Sequence, residues 1–165
     1  MTSQSTDTHI AALEAAGELR LFSPHMRPDQ AYRRRLWLTQ PVWDWVQFRQ
    51  GATRREREHR ADTRAFLKRF VMGADFDNDV QVKLLRPHAQ NVYSFRVLFN
   101  PQHRIIGGFL RHGEFVATAH RLRSDLRTET WVPTLRVAKS EWSRLFPNHP
   151  RSSSDRQTNL ADFGP

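Results

Sequence analysis

The stretch NVYSFRVLFNPQHRIIGGFLRHGEFVATAHRLR, residues 91–123, decides the fold. Val92, Phe95, Val97 and Phe99 are interleaved with Ser94, Arg96 and Leu98, near the two-residue period of a strand. Asn100-Pro101-Gln102-His103 has the composition of a turn, and Arg104 to Leu110 is the next apolar run. Arg111-His112-Gly113-Glu114 turns the chain again, and Phe115 to His120 forms a further strand. Upstream, Val80, Val82 and Leu84 alternate, and Pro87 ends that run. Short strands joined by short turns predict an antiparallel meander. Gly107-Gly108 weakens a strand interior, so the pair is expected where the sheet bends or another backbone approaches closely.

Helices flank the meander. The segment from about Thr53 to Met72 is charged in its first half, RREREHRAD. Its second half puts Ala61, Ala65, Phe66, Phe70 and Val71 on one stripe, and Gly73 closes it. Before it, Tyr32 to Thr39 reads as a strand. Thr39 is placed to cap a helix, with Pro41 in its first turn, Val42, Trp43 and Val46 on helical spacing, and Gln50-Gly51 as the stop. A short helix from Asp7 or Thr8 through Ala16 ends at Gly17, and residues 23–30 read as a connector. Downstream, Leu135, Ala138, Trp142 and Leu145 predict a helix over Val132 to Leu145. The expected fold is α+β: a four- to five-stranded antiparallel sheet packed against two N-terminal helices and one C-terminal helix. Residues 1–32 are then an N-terminal extension, 33–146 the domain, and 147–165 a flexible tail by composition.

Eleven Phe and five Trp in 165 residues are enough for a real core. The net charge is +9, and of 26 basic residues only Lys68, Lys83 and Lys139 are lysine. Arginine grips phosphate with a planar fork and stacks on bases. GC-rich coding also raises arginine over lysine, so the net charge carries more weight than the ratio. It favours a polyanionic partner, RNA above all. The chain has no Cys, which excludes disulfides and thiolate metal sites. No apolar run approaches a membrane span, and the N-terminus lacks the regions of a signal peptide, so a cytoplasmic protein without membrane contact is expected.

From residue 33 onward the order strand, helix, helix, four strands, helix resembles the RelE/ParE superfamily of bacterial toxins, including its HigB-like branch. Val82-Lys83-Leu84-Leu85-Arg86, Val92-Tyr93-Ser94-Phe95-Arg96-Val97 and Arg104-Ile105-Ile106-Gly107-Gly108-Phe109 are similar to three of that family's strands. Phe115 to Arg123 is similar to its last strand with a basic end, and the helix around Ala138 to its closing helix. The resemblance implies the toxin of a type II toxin–antitoxin system: a metal-independent, cofactor-free endoribonuclease that cuts mRNA on the ribosome and is held in check by an acidic antitoxin. It also leaves open a non-catalytic member that binds a protein target, as the gyrase-poisoning branch does, or a nucleic-acid-binding module of phage or mobile-element origin.

By that resemblance Arg96 and Arg104 clamp the scissile phosphate, and Arg121 or Arg123 stabilises the transition state. Lys83, Arg86, Tyr93 and Arg127 are the further contacts to nucleic acid. Arginine is no base at ordinary pH, so His120 is the first candidate proton carrier and Tyr93 a lesser one, with His88 and His103 in turns that could approach the same edge. Where the family's ribonucleases carry lysines, this chain has Ser94 and Arg96, and no Tyr follows its last strand. The acidic run DFDND at 75–79 lacks the glycine and closing glutamate of a calcium loop, and no His pair has zinc spacing. Trp37, Trp43, Trp45 and Trp142 are expected in the core.

Overall fold

A computed structural model describes residues 3–47, 52–76, 81–85, 90–126, 128–153 and 156–161. Helix α1, Ser3–Ala15, starts earlier than Asp7 and ends at Gly17, whose φ of 73° turns the chain. Strand β1, Leu19–Leu21, follows. Its three residues are too few to show a period, and it lies in the stretch expected to be an extension. Strand β2 covers Arg35–Thr39 and helix α2 Gln40–Val46, with Pro41 in the first turn. Thr39 is the N-cap residue, but its hydroxyl is buried without a partner rather than capping the helix. Gln50 and Gly51, the expected stop, lie outside the described residues.

Helix α3, Arg54–Val71, begins with a capping box in which Thr53 and Glu56 satisfy each other's backbone amides. The meander comprises β3 (Val82–Leu84), β4 (Tyr93–Val97), β5 (His103–Arg111) and β6 (Glu114–Leu122). Helix α4, Thr128–Leu145, accommodates Pro133 near its start, and α5 is the short Arg156–Asn159.

The α+β class holds, but the sheet is six-stranded and mixed, in the order β1-β2-β6-β5-β4-β3. Strand β2 enters parallel to β6, pairing Leu36 with Phe115 and Leu38 with Ala117. Leu36, Trp37 and Leu38 are all buried, the continuous apolar run of a strand covered on both faces. On one face α2 and α3 bury Val42, Val46, Phe66 and Phe70 against Phe95, Ile105, Phe109 and Phe115. On the other, α1 and α4 pack Ile10, Trp142 and Leu145 against Trp37 and Val116, while Leu135 and Ala138 cover Ile106 and Ala119.

Residues 147–165 were expected to be a flexible tail, yet their described part packs on this body. The Ser152 amide donates to the Phe109 carbonyl at 2.7 Å, and Leu160 joins the core cluster on the α2–α3 face.

Glu114 holds the hairpin end. Its carboxylate is fully buried and accepts from Trp37 Nε1 at 2.8 Å and Arg111 Nε at 2.6 Å. Arg111 also reaches Asp7 on α1.

The β5–β6 ladder slips by one residue. Gly107 pairs with Ala117, but Ile106 pairs with Ala119, so Thr118 is an extra residue in β6. Gly107 makes this possible: a Cβ there would sit 1.9 Å from the Val116 carbonyl oxygen. Thr118 Oγ1 instead donates to the Ala138 carbonyl of α4 at 3.2 Å. Gly107→Ala should therefore destabilise the protein by about 3 kcal/mol, read as a lowered denaturant midpoint.

Candidate nucleic-acid interface

Antiparallel register determines which side chains share a face, because residues directly opposite point the same way. Arg96 on β4 lies opposite Arg104 on β5, and Arg104 lies opposite Arg121 on β6. The three form a row across the strand ends on the α4 face. Arg123 follows in a short 3-10 turn, its amide held by the Gln102 carbonyl at 2.8 Å. Lys83 pairs with Ser94, which puts it on the same face at the β3 edge, exposed. Arg86 and Arg127 lie outside the described residues, as does His88.

Arg104 is the buried member of the row, 8% exposed. Its guanidinium donates to the His103 carbonyl at 3.1 Å. Arg121 donates to the His120 carbonyl and Arg123 to the Leu126 carbonyl. Among the described residues no carboxylate forms an ion pair with Arg104, Arg121 or Arg123. Burial, and then the charges of Arg96 and Arg123, lower the Arg104 pKa to about 10, so the group stays cationic at neutral pH. Like charges set opposite one another in a sheet repel, and a bound anion relieves that repulsion.

Two expected contacts fall elsewhere. Tyr93 is 1% exposed and packs edge-on against Phe109 on the α2–α3 face, its hydroxyl accepting from Asn159. Buried so, it has no surface to offer a nucleic acid. His120 pairs with Ile105 and therefore faces away from the arginine row. The slip at Thr118 is the reason, since it inverts the facing of every later β6 residue relative to Ala117.

On that opposite face His120 joins a cluster the sequence did not reveal. His103 is the first residue of β5 rather than part of a turn, and is 2% exposed. Its Nε2 lies 3.1 Å from His120 Nδ1. Trp45 stacks on both imidazoles, with ring centroids 3.7 Å from His103 and 4.8 Å from His120. His59 of α3 completes the group, 5.7 Å from His103. One signal was available: His59, Thr63, Phe66 and Phe70 form a single stripe at helical spacing, with a histidine in a core-facing position. Among the described residues no three His, Asp or Glu side chains converge as metal ligands.

Burial keeps these imidazoles neutral. His103 is lowered to about 2 by desolvation and then by His120 and His59. His120 is lowered to about 4 by desolvation and then by Arg121 and Arg60. His59 is lowered for the same first reason. An open cleft of about 300 Å³ adjoins the cluster, lined by Trp45, Arg55, His59, Arg60, Pro101 and Leu122.

The arrangement can grip phosphates on one face. Among the described residues no general base lies beside them: His120 titrates near pH 4 and points away, and is poorly matched to proton abstraction near neutrality. Comparison with known protein families, with curated proteins and with solved structures finds no match to this chain. Among the described residues no helix is long and apolar enough to cross a membrane.

The histidine cluster links stability to pH. His103 and His120 titrate near 6.5 in the unfolded chain and lower in the fold, so the unfolded chain takes up protons first. Stability is then complete above about pH 6.5 and falls as the pH drops, towards about 4 for His120 and about 2 for His103. Near pH 5 the loss should be about 2 kcal/mol per histidine. Denaturant titrations near pH 7.5 and 5 check this, and His103→Phe should remove about one proton from the slope.

Proposed function

We propose that this chain is a toxin of the RelE/ParE kind that acts on RNA, gripping the phosphate backbone with Arg96, Arg104, Arg121 and Arg123 and with Lys83 at the sheet edge. The observation that carries the reading is Arg104: a buried guanidinium with a cation opposite it on each side and no ion-pair partner among the described residues. The order β2, α2, α3, β3 to β6, α4 supports it too, since the resemblance rests on that succession. An acidic antitoxin segment laid over the row would neutralise it in the resting complex.

Transesterification requires the ribose 2′-oxygen to attack phosphorus while the 5′-oxygen leaves, with one proton removed and one delivered. Guanidiniums across the strand ends suit the charge that builds on the phosphoryl oxygens. Among the described residues proton removal has no counterpart on that face, which makes tight RNA binding the better-supported half of the activity.

Inducible expression with mapping of transcript ends tests the reading. Growth arrest with new mRNA 5′ ends supports cleavage, and arrested translation with intact transcripts supports binding alone. DNA damage with intact transcripts overturns the RNA target in favour of the gyrase-poisoning type. In vitro, Arg104→Ala should weaken single-stranded RNA binding about tenfold, and its salt dependence (log affinity against log salt) should flatten by about 0.7. Unchanged affinity removes the phosphate clamp.

A further inference from the structure

Beside Trp45, on the face opposite the arginine row, the 300 Å³ cleft has flat apolar walls and basic corners. Trp45, Pro101 and Leu122 supply the walls; Arg55 and Arg60 supply the charge. Thr53 and Glu56 share the rim, but their side chains bond each other in the α3 capping box.

Three features mark the cleft as a built site. First, His103 and His120 are 5.3 Å apart and both lie nearly parallel to the indole of Trp45. At that separation they must share one face of the indole, so Trp45 is backed rigidly while its remaining surface lines the cleft. Second, Arg55 is exposed and has no ion pair or hydrogen bond with any described residue. Third, His59 lines the cleft and is 8% exposed, and both its ring nitrogens are buried with no hydrogen-bond partner among the described residues. A neutral imidazole there offers one donor and one acceptor. Leu122 follows Arg121 directly, so the cleft and the arginine row meet around the same sheet end.

We propose that this cleft receives one unstacked base of a single-stranded RNA whose neighbouring phosphates lie on the arginine row. The base slots against Trp45, Leu122 and Pro101, meets His59 with its polar edge, and leaves its own phosphate to Arg55 and Arg60. Aromatic stacking with basic flanks is how single strands are held without reading a long sequence. This rests on the RNA reading above and extends it from the backbone to a base.

The test uses the full chain and nucleoside 5′-monophosphates, with inorganic phosphate as the control, followed through the Trp45 indole and His59 imidazole NMR signals. Mononucleotides should shift both signals at millimolar concentration, and phosphate alone should not. Arg55→Glu and Leu122→Glu should each weaken mononucleotide binding at least tenfold, and should weaken binding of a short RNA as well. Arg104→Ala should weaken the RNA and leave the mononucleotide affinity as it was. No shift with any mononucleotide, or an equal shift with phosphate alone, overturns the base pocket. So does RNA binding that is lost in Arg104→Ala yet indifferent to both cleft variants, an outcome that keeps the arginine row. Mononucleotide binding with no RNA binding at all overturns the RNA reading itself, and with it the placing of a strand in the cleft.

Discussion

The arrangement of the sheet end depends on one close approach, that of the Gly107 backbone to the Val116 carbonyl. Strict alternation would put Arg121 on the same face as Phe115 and Ala117, pointing into the α2–α3 core. The extra residue Thr118 inverts the last turn of β6, so that Arg121 comes into line with Arg104 and His120 goes inward to Trp45. Two unlike surfaces are thereby made from one pair of strands. A side chain at residue 107 would close the gap that allows the slip.

Each surface answers a different physical demand. On the inward face three imidazoles and an indole share a desolvated space, where only neutral rings are tolerated. The His103–His120 hydrogen bond needs one donor and one acceptor, a condition that two neutral tautomers meet and two imidazolium ions do not. On the outward face charge is kept, and among the described residues Arg104, Arg121 and Arg123 donate to backbone carbonyls and form no ion pair. Carbonyls orient the guanidiniums without neutralising them. A surface of that kind is poised for an anion from outside the chain.

The meander, both flanking helices and the nearness of Arg96 to Arg104 were legible in the sequence because each rests on local signals: alternation along 91–110, the stripe Phe66 to Val71, the turn residues between strands. The facing of His120 was not, because a bulge shifts the register through a backbone contact with another strand. Likewise β1 is too short for a period, and nothing local says that β2 inserts beside β6 rather than at the free edge. Leu36-Trp37-Leu38 held the available clue, since three consecutive apolar residues suit a strand covered on both faces. The packed tail was missed for a related reason: polar, Ser-rich composition in 147–165 concealed single buried anchors such as Leu160. The Trp45–histidine cluster draws on α2, α3, β5 and β6 at once, and no window along the chain spans those four elements.

The ion pairs around α1 bear on how the molecule meets a partner at a distance. Asp7 engages Arg111, and Glu18 engages Arg144 together with Glu141, so the carboxylates near α1 neutralise the arginines on their own side. Arg104, Arg121 and Arg123, at the far ends of β5 and β6, form no ion pair among the described residues. Among the described residues the paired arginines and the unpaired row thus lie at different ends of β5 and β6, which gives the sheet an electrical polarity. In the field of a polyanion such a body turns before it touches, which raises the fraction of encounters that begin with the arginine end foremost. Raising the ionic strength shortens the reach of that turning, so salt should slow the approach as well as loosen the grip.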